Sequence, residues 1–355
     1  MKQLTLMLLF VLLGNNLFSQ NKTAADDLVM EGIELHDKGD YKGAIAKYDK
    51  ALSVDKDNLF ALTEMAYSLL SMEKNKESIE YCEKAIKLYP GDKDLNVVYV
   101  TYGNATDGLN KTEDAIKIYN QGLSKFPDFY QLYFNKGVSQ STLKMYDDAL
   151  LSFERAVQCN PNHASSHNAI GRLKNYDGKR IAALLAFCRF LAIEPQSIRA
   201  EENLASVEVI MNGNVEKTGK QSVSINLSAG ILGDTTANGD PNENSFSMVD
   251  MMLSMSSALD FDKKYKNDTD VEKFIRKFDT FCSTLKEGQE KNYGFYWDYY
   301  VPYFTSMQQN NYIETFAYIA FASTDASDVS KWLKSHTVEI EAFYNWSTGY
   351  EWKKE

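Results

Sequence analysis

Four histidines, His36, His163, His167 and His336, are the first places to look for acid–base or metal chemistry. Cys159, His163 and His167 follow one another at intervals of four. On a single helix that spacing would put all three on one face and suit a zinc ion. Pro161 stands between them and marks a helix end, so they are not expected to share a face, and His167 reads as a packing residue. A second oxygen-rich stretch, Asp234, Thr236, Asn238, Gly239, Asp240 and Asn242, loosely follows the ligand spacing of a calcium loop. Ser245 occupies the place of the terminal bidentate Glu. Asp234, Asn238 and Asp240 are therefore a weak calcium candidate, with a solvated, turn-rich loop as the alternative. The chain has no H-E-x-x-H, G-x-S-x-G, phosphate-binding Gly-rich loop, dinucleotide fingerprint or C-x-x-C. No cofactor is expected, and an enzyme would have to rest on carboxylates of the C-terminal half that form no recognisable motif.

A third chemical possibility is aromatic. The run from Tyr293 to Phe304, Y-G-F-Y-W-D-Y-Y-V-P-Y-F, offers rings that stack on sugars if they are exposed and coplanar around Trp297. The competing reading is a hydrophobic core, since Tyr buries its ring while its hydroxyl finds a partner.

The rest of the composition narrows the classes. The 355 residues are 44% hydrophobic and 25% charged, the proportions of a chain that folds around a core. A formal net charge of −11 with no basic block argues against a nucleic-acid partner held through phosphates. Four scattered cysteines exclude a disulfide scaffold or zinc ribbon. At the N-terminus, Lys2 and the apolar run Leu4 to Leu13 read as a secretory signal peptide spanning 1–19, cut between Ser19 and Gln20. The run is too short to span a bilayer core, which takes about 20 apolar residues. The Phe18-Ser19-Gln20 ending resembles that of exported proteins of the Bacteroidota. The expected location is periplasmic, with an extracellular one as the alternative, and no integral membrane segment is expected after cleavage.

What must position any site is an internal repeat. Small residues and large residues recur in a frame of 34. Gly32 is followed by Ala44, Tyr48 and Ala51; Ala66 by Ser78, Cys82, Ala85 and Pro90. After a three-residue slip come Gly103, Ala115, Tyr119, Gly122 and Pro127, then Gly137, Ala149, Phe153, Ala156 and Pro161, and finally Gly171, Ala183, Phe187, Phe190 and Pro195. In each copy the small residues allow two helices to approach, the large ring fills the gap toward the next copy, and the proline stops the second helix. The stretch 25–197 resembles the tetratricopeptide repeat (TPR) family, in five copies: 25–58, 59–92, 96–129, 130–163 and 164–197. The resemblance implies an all-α solenoid of helical hairpins. Residues 198–213 follow as a capping helix ended by Asn212-Gly213.

The resemblance also implies a concave groove lined by the first helix of each copy, holding an extended peptide or a partner's helix. Its positions fall on Val29, Ile33 and His36; on Phe60, Thr63, Tyr67 and Leu70; on Val97, Val100, Asn104 and Asp107; on Gln131, Phe134 and Val138; and on Ser165, Asn168, Arg172 and Asn175. With one Arg among them, the groove is expected to be apolar. Phe60, Tyr67 and Phe134 are its candidate anchors, accompanied by Val100, Asn104, Val138, Asn168 and Arg172.

Beyond the repeats, residues 214–245 are rich in turn formers and read as a loop or linker, with a possible strand at Ser222 to Leu227. Residues 246–355 read as a mainly helical, aromatic-rich domain of no recognised family. Within it, Val271, Phe274, Ile275, Phe278, Phe281, Cys282 and Leu285 form the apolar face of a helix. The expected function is a non-enzymatic scaffold that binds a protein or peptide through the apolar groove, with the chain's own C-terminal half as the alternative occupant. Other readings are a glycan-binding protein using the aromatic domain, or an enzyme of unrecognised type.

Overall fold

The computed structural model describes residues 22–219, 222–226 and 242–353. The signal segment 1–19 and the calcium candidates Asp234, Asn238 and Asp240 lie outside the described residues. The chain divides between Cys159 and Asn160 into two compact units.

Unit one is four helical hairpins: α1 (22–37) with α2 (Tyr41–Val54), α3 (Leu59–Ser71) with α4 (Asn75–Leu88), α5 (Leu95–Asp107) with α6 (Thr112–Lys125), and α7 (Tyr130–Thr142) with α8 (Tyr146–Cys159). The repeat frame has the steric meaning the sequence suggests. Gly32, Gly103 and Gly137 each lie against the ring of Tyr48, Tyr119 or Phe153, and a Cβ on Gly137 would stand 2.7 Å from the Phe153 ring. Ala44, Ala115 and Ala149 on the facing helices are fully buried. Each hairpin also turns through one residue with positive φ. Those residues are Gly39, Glu73, Asn110 and Lys144, and Gly178 in the fifth copy, at intervals of 34, 37, 34 and 34. The long interval falls where the loop of residues 89–94 separates α4 from α5. Asp40 and Asn58 cap the helices that follow them by accepting the N–H of Gly43 and Ala61.

Unit two starts with the fifth hairpin, α9 (Ala164–Tyr176) and α10 (Arg180–Ile193), and continues into α11 (Ile198–Asn212). The interlock of Gly171 with Phe187 follows the same rule as in unit one. α11 occupies the capping position, burying Leu204, Val207, Ile210 and Met211 and leaving Ile198 exposed. The segment expected to be a linker holds a two-stranded antiparallel hairpin, β1 (Val215–Lys217) with β2 (Val223–Ile225), paired Val215 to Ile225 and Lys217 to Val223. Sequence alternation marked β2 but not β1, whose three residues are too few to show a period.

The hairpin packs on α12 (Ser247–Ala258). α13 (Asp270–Gly288), a π-helical turn (Tyr296–Tyr300), α14 (Val301–Gln309), α15 (Ile313–Ala320), α16 (Ser327–Ser335) and α17 (Thr337–Thr348) complete the unit. Thr269 and Glu272 form a reciprocal capping box at the start of α13. Phe274, Phe278, Phe281, Phe304, Phe316 and Phe343 make a continuous ring core between α13, α14, α15 and α17.

α10 sets unit two apart. Every residue from Ile181 to Ala192 is buried, whereas α8 of unit one buries a single stripe, Ala149, Ser152, Phe153, Ala156 and Val157. The sequence R-I-A-A-L-L-A-F-C-R-F-L-A-I is apolar all round, which requires cover on every side. α9 and α11 cover it on the repeat side, and α12, the π-helical turn and α15 cover the remainder. The fifth hairpin therefore belongs to the same unit as residues 246–353.

Candidate functional site

In unit one the first helices of successive hairpins touch one another, α3 with α5 and α5 with α7, while the second helices have no contact of that extent. The first helices thus form the closely spaced inner face of the stack. On these helices, Phe60, Tyr67, Val97 and Val138 are 37, 48, 38 and 41% exposed. Val100, Asn104 and Phe134 are half-buried. The ring of Phe134 lies 5.7 Å from that of Phe153 and is partly committed to the core. The Asn104 side-chain oxygen accepts a hydrogen bond from the Tyr119 hydroxyl at 2.7 Å. Tyr67 stacks on His36, centroids 4.8 Å apart, and the His36 Nδ1 is 2.7 Å from the Ser68 hydroxyl. Val29 is not on this face. It is fully buried with Ala44, Tyr48, Ala61 and Met65, because α1 packs that position against α2 and α3.

Two charged groups of the inner helices sit in strained electrostatic settings, and the sequence reading picked out neither. Burial and then the neighbouring Asp37 push the Glu64 carboxyl up from its usual range. Burial lowers Lys136, with Asp148 opposing the shift.

Asn168 and Arg172 belong to unit two. They line a cleft of about 370 Å³ with Asn175, Tyr176, Glu202 and Asn203, so α9 and α11 form its two walls. Asn203 is 3% exposed. Its amide nitrogen donates to the Arg199 carbonyl at 2.6 Å, and its side-chain oxygen has no hydrogen-bond partner among the described residues. The cleft is polar, with one Arg and one Glu, unlike the apolar row of unit one. A capping helix was expected here, but its polar inner residues were not read as part of the groove.

The two histidines of the metal-like trio are otherwise engaged. His163 Nδ1 is 2.7 Å from the Ser166 hydroxyl. His167 is fully buried, with Nε2 3.0 Å from the Pro161 carbonyl and Nδ1 2.8 Å from the Tyr300 hydroxyl. A carbonyl can only accept, so Nε2 carries the proton and Nδ1 accepts from Tyr300. Burial, followed by the positive charge of Arg189, holds His167 well below its usual value. Among the described residues no three His, Cys, Asp or Glu side chains converge as a metal site.

Beside His167 lies a fully buried guanidinium. Arg189 donates from Nη1 to Tyr303 Oη at 3.0 Å and Ser347 Oγ at 2.8 Å. From Nη2 it donates to the Pro161 carbonyl at 3.2 Å and Asn162 Oδ1 at 2.6 Å. The rings of Tyr303 and Trp352 lie 4.7 and 5.1 Å from its central carbon. No carboxylate pairs with it among the described residues. Neutral acceptors and ring faces carry the charge. Much of the aromatic run is thus a core that surrounds this cation. The exposed, coplanar rings that glycan binding required around Trp297 are absent: Trp297 is 2% exposed, stacked on Phe246 at 4.6 Å, and donates to the Ser245 carbonyl. All four cysteines are free thiols, and Cys82, Cys188 and Cys282 are buried.

This interlocked hairpin geometry has a family counterpart. Residues 61–92 and 103–164 match models of the tetratricopeptide repeat and are repeats of that kind. Among curated proteins, the chain is 30% identical over 130 residues to the protein STIP1 homolog of Dictyostelium discoideum, covering 36% of this chain and 23% of that one. It is 25% identical over 169 residues to the TPR repeat-containing protein MJ1428 of Methanocaldococcus jannaschii, 46% and 30% of the two chains. It is also 25% identical over 178 residues to protein O-mannosyl-transferase TMTC1 of Homo sapiens, 50% and 20%. The chain thus spans no more than about a third of these relatives. A solved structure of TTC0263, a thermophilic TPR protein of Thermus thermophilus, is similar at 17% identity with a TM-score of 0.45, over 52% of this chain and 99% of that one. Among the described residues no helix is long and apolar enough to cross a membrane.

Proposed function

We propose that this protein is a non-enzymatic scaffold that holds a protein or peptide partner on the inner face of its helical hairpins. The observation that carries the reading is the exposed row Phe60, Tyr67, Val97 and Val138, on helices whose opposite side is buried. Large apolar side chains gathered on one face of a folded protein mark an interaction surface. Tetratricopeptide repeats generally mediate protein–protein interactions, which agrees with that reading. One relative, TMTC1, is named as a transferase, but the likeness covers 20% of it. The place of action we propose is the cell envelope, most simply the periplasm, on the strength of Lys2 and the apolar run Leu4 to Leu13.

Site-specific photocrosslinking tests the binding surface. A photoreactive residue in place of Tyr67 should yield a discrete partner adduct in living cells, and the same residue in place of Leu151, 65% exposed on α8, should not. Equal adducts from both positions, or none from Tyr67, would remove the inner face as the site. Cell fractionation with N-terminal sequencing checks the location, with Gln20 as the expected first residue.

A further inference from the structure

The net charge of unit one is concentrated on one set of helices. Its four first helices carry seven acidic residues against two lysines, while the four second helices carry nine acidic and nine basic residues. Five of those seven acids lie on α1, and the three helices that present the apolar row, α3, α5 and α7, carry Glu64 and Asp107 against Lys136. In the middle of that row, between Phe60 and Tyr67 on α3, stands Glu64. It is half-buried, and Asp37 of α1, which acts on it after burial, adjoins His36, whose ring stacks on Tyr67 at 4.8 Å. Neither carboxylate has a cationic partner among the described residues. Some other acids of the stack do have a cation: Glu31 has Lys47, Glu77 has Lys74 and Asp114 has Lys117.

A half-buried carboxylate that faces another carboxylate is destabilised, and its relief is a cation. Tyr67 beside it is 48% exposed; His36 covers one face of its ring, and the other is the face on which an ammonium or guanidinium group would gain further attraction.

We propose that the inner face of unit one is built for a basic, amphipathic segment of a partner protein, with a Lys or Arg seated on Glu64 and Asp37 and apolar side chains laid along Phe60, Val97 and Val138. The inference rests on the scaffold function proposed above and gives it a partner chemistry. A helix with Leu on one face and Lys on the other meets both requirements of this surface. An acidic tail meets neither, since Glu64 and Asp37 would repel it.

The probes are three labelled amphipathic peptides about 18 residues long, five helical turns. They share a Leu face and differ in a polar face of Lys, Gln or Glu, and their binding to the full chain is read by fluorescence anisotropy. The Lys peptide should bind roughly tenfold more tightly than the Gln peptide, and the Glu peptide most weakly. In a D37N/E64Q variant the Lys and Gln peptides should bind alike. In an E80Q/D147N variant, with changes on α4 and α8, the preference should stay intact. Circular dichroism checks that both variants fold. Persistence of the Lys preference in D37N/E64Q, or its equal loss in E80Q/D147N, would overturn the proposal. If all three wild-type affinities are equal and F60A/Y67A weakens them alike, the charge preference falls and the groove stands. If F60A/Y67A changes nothing, both fall.

Discussion

At the scale of single residues, unit two rests on two buried nitrogen-bearing side chains that titrate or carry charge without a carboxylate. His167 is held neutral by its place between the Pro161 carbonyl and Tyr300, and burial and Arg189 both disfavour its protonation. The unfolded chain binds that proton near the ordinary value of 6.5, so the unfolded state takes up more protons than the folded state as acid is added. Stability from this site is thus complete above about pH 6.5 and is lost as pH falls from there toward the lower folded value. His163, lowered by burial and Arg199, acts in the same direction. We expect the melting temperature to fall between pH 6.5 and 5, and to fall less steeply in His167→Gln. Identical slopes in the two proteins, measured by scanning calorimetry, would refute this role. The sequence signalled that His167 packs rather than chelates. It had no means of signalling Arg189, whose partners Tyr303 and Ser347 are 114 and 158 residues away. Glu64 was missed for a related reason: the strain on it comes from burial and then from Asp37 on another helix, neither of which spacing along one helix reveals.

At the scale of elements, the repeat frame was legible because it records a contact rule. A small residue on one helix and a ring on the next leave the same trace in every copy, as Gly137 and Phe153 do. The turns between helices obey a rule as well, but residue type hides it. Gly39 and Gly178 suit their positive φ, whereas Glu73 and Lys144 occupy the same left-handed region at φ 58° and 61°. A residue with a Cβ pays about 1 kcal/mol for that backbone. Glu73→Gly and Lys144→Gly should each raise stability by up to about 1 kcal/mol, the gain being reduced by the greater freedom of Gly in the unfolded chain. Urea titration reads the change, and a lowered midpoint in both variants would contradict the account. The strand β1 left no trace in the sequence, because its partner across the turn and the packing of both strands on α12 hold it extended.

At the scale of the whole chain, the tetratricopeptide frame and the unit boundary do not coincide. By sequence the fifth hairpin continues the repeats, yet its second helix is enclosed by elements that come after residue 246. A chain ending at Gly213 keeps all five hairpins and the capping helix but loses α12, the π-helical turn and α15. We expect it to expose α10, bind an apolar dye and self-associate. In hydrogen exchange α10 should lose protection, while α3 to α6 keep theirs. A monodisperse truncated chain with α10 still protected would show that the C-terminal helices are dispensable cover. The warning in the sequence was the all-apolar composition of α10, which a solvent-facing second helix could not carry.

That enclosure also decides how the array can change length. Hairpin stacks ordinarily gain or lose copies because each new member offers its neighbour the same surface as the last. α10 offers no such surface, since each of its sides is already occupied. A sixth hairpin grafted after Ile193 would have to displace α11 and the later helices that enclose α10, whereas one grafted between the hairpins of unit one would meet the repeating small-and-large pattern. Growth and shortening of this molecule, by evolution or by design, are therefore confined to the amino-terminal side of α9.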